Sequence, residues 1–198
     1  MTERPTLELP DGADKLLLHS CCAPCSGEVM EALHASGINY SIFFYNPNIH
    51  PYREFKKRLV AVEQLAAREN LAVEYHREYG LRDYLRQVVF NESSRCGLCY
   101  DMRLRETVEQ AKKIRADAFS TTLLYSRYQN HEQIRAKAKQ LAEQHKIPFY
   151  YHDFREGWQQ GIDMSKDMGL YRQSYCGCIY SEQERYDTHF RKRKGKKG

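Results

Sequence analysis

The stretch KLLLHSCCAPCSGEVMEALHASG, Lys15 to Gly37, decides the fold. Leu16, Leu17 and Leu18 make a short unbroken apolar run, which suits a strand buried on both faces of a parallel sheet. His19 and Ser20 end the run. Cys21, Cys22 and Cys25 follow within five residues, and a helical pattern then covers about Gly27 to Ser36. A buried strand, a tight turn and a helix open an α/β unit, and nucleotide-binding chains of this type place a glycine-rich phosphate loop at that turn. Here cysteines occupy it.

Outward from this unit the alternation continues. NYSIFFYN (39–46) reads as a second strand, and PYREFKKRLVAVEQLAAREN (51–70) as a helix with proline at its start. LAVEYHRE (71–78) is a third strand, followed by a helix over about Leu81 to Val89. NESSRCGLCY (91–100) is a loop opening a helix that reaches about Arg115. DAFSTTLL (117–124) is a fourth strand, NHEQIRAKAKQLAEQHK (130–146) a helix and IPFYYHDF (147–154) a fifth strand. The pattern predicts an α/β fold with a parallel sheet flanked by helices, one domain over 1–190, and a cysteine-bearing C-terminal segment. Ligands of such sheets gather outside the carboxyl ends of the strands at the topological switch point. Cys21, TTLLYSRYQN (121–130) and DFREGW (153–158) should meet there.

Composition narrows the class. The N-terminal stretch lacks a secretory signal, and no segment has eighteen consecutive apolar residues, so a cytoplasmic protein with no membrane span is expected. In a reducing compartment, seven clustered cysteines read as metal ligands or redox groups rather than staples. The net charge of +5 is concentrated in RKRKGKKG (191–198), with six basic residues and no acid. That segment is expected to be a disordered tail, either solubilising or able to hold RNA phosphates. MRLRETVEQAKKIR (102–115) reads as a mixed basic helix, with a plain solvent-facing helix as the simpler alternative.

The cysteines fall into three groups: Cys21-Cys22-x-x-Cys25, Cys96-x-x-Cys99 and Cys176-x-Cys178. Thiols near helix starts favour the thiolate, the form that binds metal. Two pairs brought together by the fold make a four-thiolate site for zinc or for an iron–sulfur cluster. A separation of about seventy residues and a place at the crevice favour the cluster over a zinc ribbon. Cys176 and Cys178, one glycine apart, would close a small strained disulfide, suited to redox exchange. A second metal site is the alternative for that pair.

HSCCAPC, NPNIHPYREFKKR, RCGLCYDMRL, STTLLYSRYQNHE, FYYHDFREGW and GLYRQSYCGCIYSE, in this order over about Lys15 to Arg185, together resemble the cobalamin-independent epoxyqueuosine reductases, the QueH family. The resemblance implies an adenine-nucleotide-hydrolase-like fold and reductive deoxygenation of epoxyqueuosine to queuosine at the wobble position of tRNA. It implies a 4Fe-4S cluster on Cys21, Cys22, Cys96 and Cys99, and a redox-active pair in Cys176 and Cys178. It also implies an adjacent mononuclear iron, for which Cys25 and Asp153 are candidate ligands. The partners it implies are tRNA carrying epoxyqueuosine and an electron donor whose identity the residues leave open.

Tyr125, Arg127 and Tyr128 are candidate contacts to the RNA, and Tyr125, Tyr128, Tyr171, Tyr175 and Asp153 candidate proton donors. His19 reads as a hydrogen-bonded strand-end residue. Two other readings are a tRNA sulfurtransferase on the same scaffold and a zinc-stabilised, non-catalytic RNA-binding module. The first lacks its SGGxDS loop here, and the second gives no role to a Cys-x-Cys pair.

Overall fold

Lys15–His19 (β1), Asn39–Phe44 (β2), Val73–Tyr75 (β3) and Ala118–Thr121 (β4) form one sheet in the order β3-β2-β1-β4, with every pairing parallel. The computed structural model describes residues 6–10 and 12–195. β1 lies inside the sheet, as its leucines require. Leu16, Leu17 and Leu18 are fully buried, with Leu17 in register with Ser41 on one side and Phe119 on the other.

Among the described residues there are eight α-helices: Ala23–Ala35 (α1), Tyr52–Arg68 (α2), Leu81–Val88 (α3), Arg95–Lys113 (α4), His131–His145 (α5), Trp158–Asp167 (α6), Ile179–Tyr186 (α7) and Thr188–Gly195 (α8). Their buried residues recur at helical spacing, as in Phe55, Leu59, Val62 and Leu65 of α2 and Leu104, Val108 and Ala111 of α4. α1 packs with α2 and α6, and α4 with α3 and α5. From β1 the chain builds β2 and β3 on one side and then returns to lay β4 on the other. The switch point therefore lies beyond the carboxyl ends of β1 and β4.

Three features differ from the sequence reading. α1 begins at Ala23, not near Gly27: Cys22, in extended conformation, is its N-cap, and Pro24 sits in the first turn, where a missing N–H costs nothing. IPFYYHDF adds no fifth strand but a single bridge. Phe119 N–H donates to Pro148 O at 3.0 Å and Tyr150 N–H to Phe119 O at 2.9 Å. Pro148 has no N–H with which to lengthen that ladder. The basic segment expected to be disordered from 191 is helical as far as Gly195. Asp187 Oδ1 accepts the Phe190 N–H at 2.8 Å at the start of α8, and lysine and arginine are good helix formers. Residues 196–198 of that segment lie outside the described residues. Among the described residues no helix is long and apolar enough to cross a membrane.

Candidate active site

Because Cys22 caps α1 and Cys25 is in its first turn, the two share one face of the helix end. Cys21, the last residue before the cap, turns toward them. The three Sγ atoms lie within 4.8 Å of one another, and those of Cys21 and Cys22 are 3.8 Å apart. Metal–thiolate bonds of about 2.3 Å place sulfurs about 3.8 Å apart on a tetrahedral ion. The triplet therefore suits a thiophilic metal.

β4 completes the setting. Thr122, the first residue beyond it, accepts the Cys21 N–H at 3.0 Å and donates its hydroxyl to Cys21 Sγ at 3.2 Å. Hydrogen bonds from Cys22 and Cys25, then from Thr122, hold the Cys21 thiol well below its ordinary pKa, while the same anion pushes Cys22 and Cys25 up. Of the three, Cys21 is the thiol most easily deprotonated, and a bound metal would displace the protons that Cys22 and Cys25 hold more firmly.

The other four cysteines form a second set. Cys99 and Cys178 are buried in a small apolar cluster with Tyr84 and Val88, whereas Cys96 and Cys176 are exposed. Burial pushes the Cys99 thiol up to about 12 and raises that of Cys96 as well. Cys178 caps α7, its sulfur accepting the Ser181 N–H at 3.3 Å, and Cys176 Sγ accepts from Gln129 Nε2 at 3.4 Å. Arg103 serves both sets. It is 2% exposed and donates from Nε to Cys99 O at 3.4 Å. Burial works against its charge, but Cys99, Cys176 and Cys21 keep it protonated.

A cleft of about 620 Å³ opens above the triplet, lined by Cys21, Cys22 and Cys25 and also by Cys176, Arg58 and Arg103. That volume is ordinary for a nucleoside-sized ligand. Four of its lining residues hold buried polar atoms without a hydrogen-bond partner: Asn46 Oδ1, Asn48 Oδ1, Arg103 Nη2 and Gln173 Oε1. Each such group costs about 1–3 kcal/mol, so their concentration in one cleft marks a place built to receive another group.

One wall is aromatic. Tyr125 stacks on Trp158 with centroids 5.1 Å apart and donates its hydroxyl to Trp158 O at 2.9 Å. Tyr128, 84% exposed, meets Trp158 edge-on at 5.6 Å, and the Arg127 guanidinium lies 5.7 Å over the same ring.

The remaining candidates are engaged by neighbouring groups, with Tyr175 among the cleft-lining residues. Asp153 caps the 3-10 turn Phe154–Gly157 and binds Arg155, and it is not among the cleft-lining residues. Tyr171 and Tyr175 donate their hydroxyls to Glu54 and to His50 O. His19 is fully buried, with Nε2–H donating to Tyr45 O at 3.0 Å and Nδ1 accepting from Thr121 at 2.8 Å. Burial, then Arg103, pulls its pKa down to about 4.

Sequence reasoning did not single out Arg58, Arg103, Gln173 or Trp158. Gln173 donates from Nε2 to Cys22 Sγ at 2.9 Å. Arg103 had a signal: it follows Cys99 by four residues and precedes buried Thr107 by four, so it lies on the inner face of α4. The other three carried none.

The epoxyqueuosine reductase QueH family model matches residues 16–184. Curated epoxyqueuosine reductases QueH of Haemophilus influenzae and Histophilus somni are 42% and 41% identical over 195 residues, covering 90% of this chain and 76% of theirs. That of Dehalococcoides mccartyi is 37% identical over 174 residues, 88% of this chain and 96% of its own. The match begins in β1 and ends within α7, and so takes in all seven cysteines. The chain belongs to the epoxyqueuosine reductase QueH family.

Proposed function

We propose that this protein deoxygenates epoxyqueuosine to queuosine at the wobble position of tRNA, in the cytoplasm. The observation that carries this reading is that the Cys21–Cys22–Cys25 triplet and the exposed Cys176 open onto one cleft of nucleoside size. On the family resemblance, Cys21 and Cys22 with Cys96 and Cys99 would hold a 4Fe-4S cluster and Cys25 would supply sulfur to an adjacent iron; of these the cleft gathers Cys21, Cys22 and Cys25. When bound, such a centre supplies one-electron transfer and Lewis acidity toward the epoxide oxygen.

The chain's own residues do the rest. The Tyr125–Trp158–Tyr128 wall with Arg127 receives an unstacked base, the way RNA-binding proteins hold single-stranded loops. Thr122 and Arg103 stabilise the anionic sulfurs. Cys176 and Cys178 as a dithiol give up two electrons and two protons on forming a disulfide. That balances conversion of the epoxide to an alkene and water. An external electron donor, reached through the exposed Cys176, restores the dithiol. Tyr125, its hydroxyl held at the cleft wall and its pKa raised by burial, stays protonated and is the best-placed tyrosine donor.

The test is anaerobic incubation of iron-loaded protein with a chemical reductant and epoxyqueuosine-containing tRNA, read by nucleoside mass. Loss of one oxygen from the modified base is expected. Cys178→Ser should keep its iron and abolish turnover, whereas Cys21→Ser and Cys22→Ser should lose iron and its visible absorbance. Stoichiometric zinc in place of iron, with no deoxygenation, would overturn the reading.

A further inference from the structure

The segment carrying Cys176 and Cys178 has no regular structure, yet it is pinned along its length to α2. Arg58 of α2 is 2% exposed, and each of its three guanidinium nitrogens donates a hydrogen bond. Nη1 donates to Cys176 O at 2.7 Å, Nη2 to Tyr175 O at 3.0 Å and Nε to Glu54 Oε1 at 2.7 Å. The other oxygen of Glu54, itself buried, accepts from the Tyr171 hydroxyl, so the pair is anchored to the same segment at a second point. His50 N–H donates to Gly177 O at 2.8 Å. Gly177 has φ +151°, and a Cβ there would stand 3.0 Å from Asn48 Nδ2 and 3.3 Å from Arg58 Nη1. Between these anchors each sulfur has its own donor, Gln129 for Cys176 and Ser181 N–H for Cys178.

We infer that Arg58, oriented by Glu54 and Tyr171, is the positioning residue of the redox pair: it fixes the Cys176-Gly177-Cys178 backbone in the dithiol arrangement and so makes the pair a stronger oxidant once it closes. The inference rests on the redox reading of that pair. Closing the disulfide joins the two sulfurs and releases two protons and two electrons. The sulfurs must leave Gln129 and Ser181 while both carbonyls stay bound to the guanidinium. A planar fork reaches two carbonyls and a carboxylate from three nitrogens held in fixed geometry, whereas a lysine ammonium would have to reach all three from one point. Loosening the fork lets the disulfide relax, which shifts the equilibrium toward it.

The experiment equilibrates full-length, iron-loaded Arg58→Lys and Glu54→Gln proteins with graded mixtures of reduced and oxidised dithiothreitol. Cys176 and Cys178 are then trapped by alkylation and read by peptide mass. A shift toward disulfide of at least tenfold, about 30 mV for a two-electron couple, is expected, with iron content unchanged. Tyr171→Phe should give a smaller shift in the same direction, and it decides the matter if Arg58→Lys does not fold. Equilibria within threefold of the parent in the folded variants, or a shift accompanied by iron loss, would overturn the assignment. Deoxygenation by Cys178→Ser would instead remove the redox reading, whatever Arg58 does.

Discussion

At the scale of single residues, the site depends on how closely side chains approach small ones. Gly161 of α6 is such a point: a Cβ there would lie 2.3 Å from Tyr125 Oη and 2.9 Å from Glu28 Cβ. Gly161→Ala must push Tyr125 off its place against Trp158. A loss of about 1–3 kcal/mol in urea unfolding is expected, as for overpacked cores, together with a changed tryptophan emission. Residue chemistry was legible in part. The cysteines announced themselves by number and spacing, and His19 by its place at a strand end. Arg58 and Arg103 did not, because a charged residue in an amphipathic helix reads as solvated unless something buried needs its charge. What needs it here is a set of thiols from other parts of the chain.

At the scale of elements, the loop between β2 and α2 and the start of α7 are joined through His50. Its Nε2–H donates to Pro47 O at 3.1 Å, and its Nδ1 accepts the Ile179 N–H, the first of α7, at 3.4 Å. Burial pulls its pKa down to about 4, from 6.5 in the unfolded chain. The folded state therefore binds fewer protons than the unfolded one between those values. The stability His50 contributes is present above pH 6.5 and declines as pH falls toward 4, by about 1.4 kcal/mol per pH unit in that window. Chemical denaturation from pH 7 to pH 4 should show this decline together with the like one from His19, and His50→Gln should remove the His50 share and reduce the slope. Protonated Nδ1 cannot accept from Ile179, so α7 should lose amide protection first. The order of elements was legible because hydrophobic runs alternate so regularly. Element ends were not. Cysteines before Gly27 resemble a turn, yet Pro24 is at ease in a helix's first turn. An apolar, aromatic run at 147–154 resembles a strand, yet its second residue is a proline that cannot extend the pairing.

At the scale of the whole molecule, one sheet edge gathers chemistry from α1, α4, the segment after β4 and the segment before α7. The chain has a single tryptophan, Trp158, and it lines the cleft. Its emission should be quenched on titration with an RNA anticodon stem–loop. Trp158→Ala should weaken that binding about 5- to 150-fold, the range that loss of one base stack of about 1–3 kcal/mol gives. The salt dependence should be unchanged, because no phosphate contact is removed. The convergence on that edge was readable from the alternation of strands and helices, which puts the loops after parallel strands at one end of the sheet. The cover over it was not, since residues 169–178 follow no period and are held by hydrogen bonds to distant side chains and backbone.

The bond between Gln173 and Cys22 spans 151 positions of the chain. A ribosome adding 5–20 residues per second needs roughly 8–30 s to cover that distance. The nucleophilic thiols at the start of α1 thus emerge long before their lid is made. Translation in the presence of oxygen should leave a larger share of newborn molecules damaged at Cys21 and Cys22 than exposure of the finished protein to the same gas, a difference that pulse-labelling and mass analysis of those two positions would reveal.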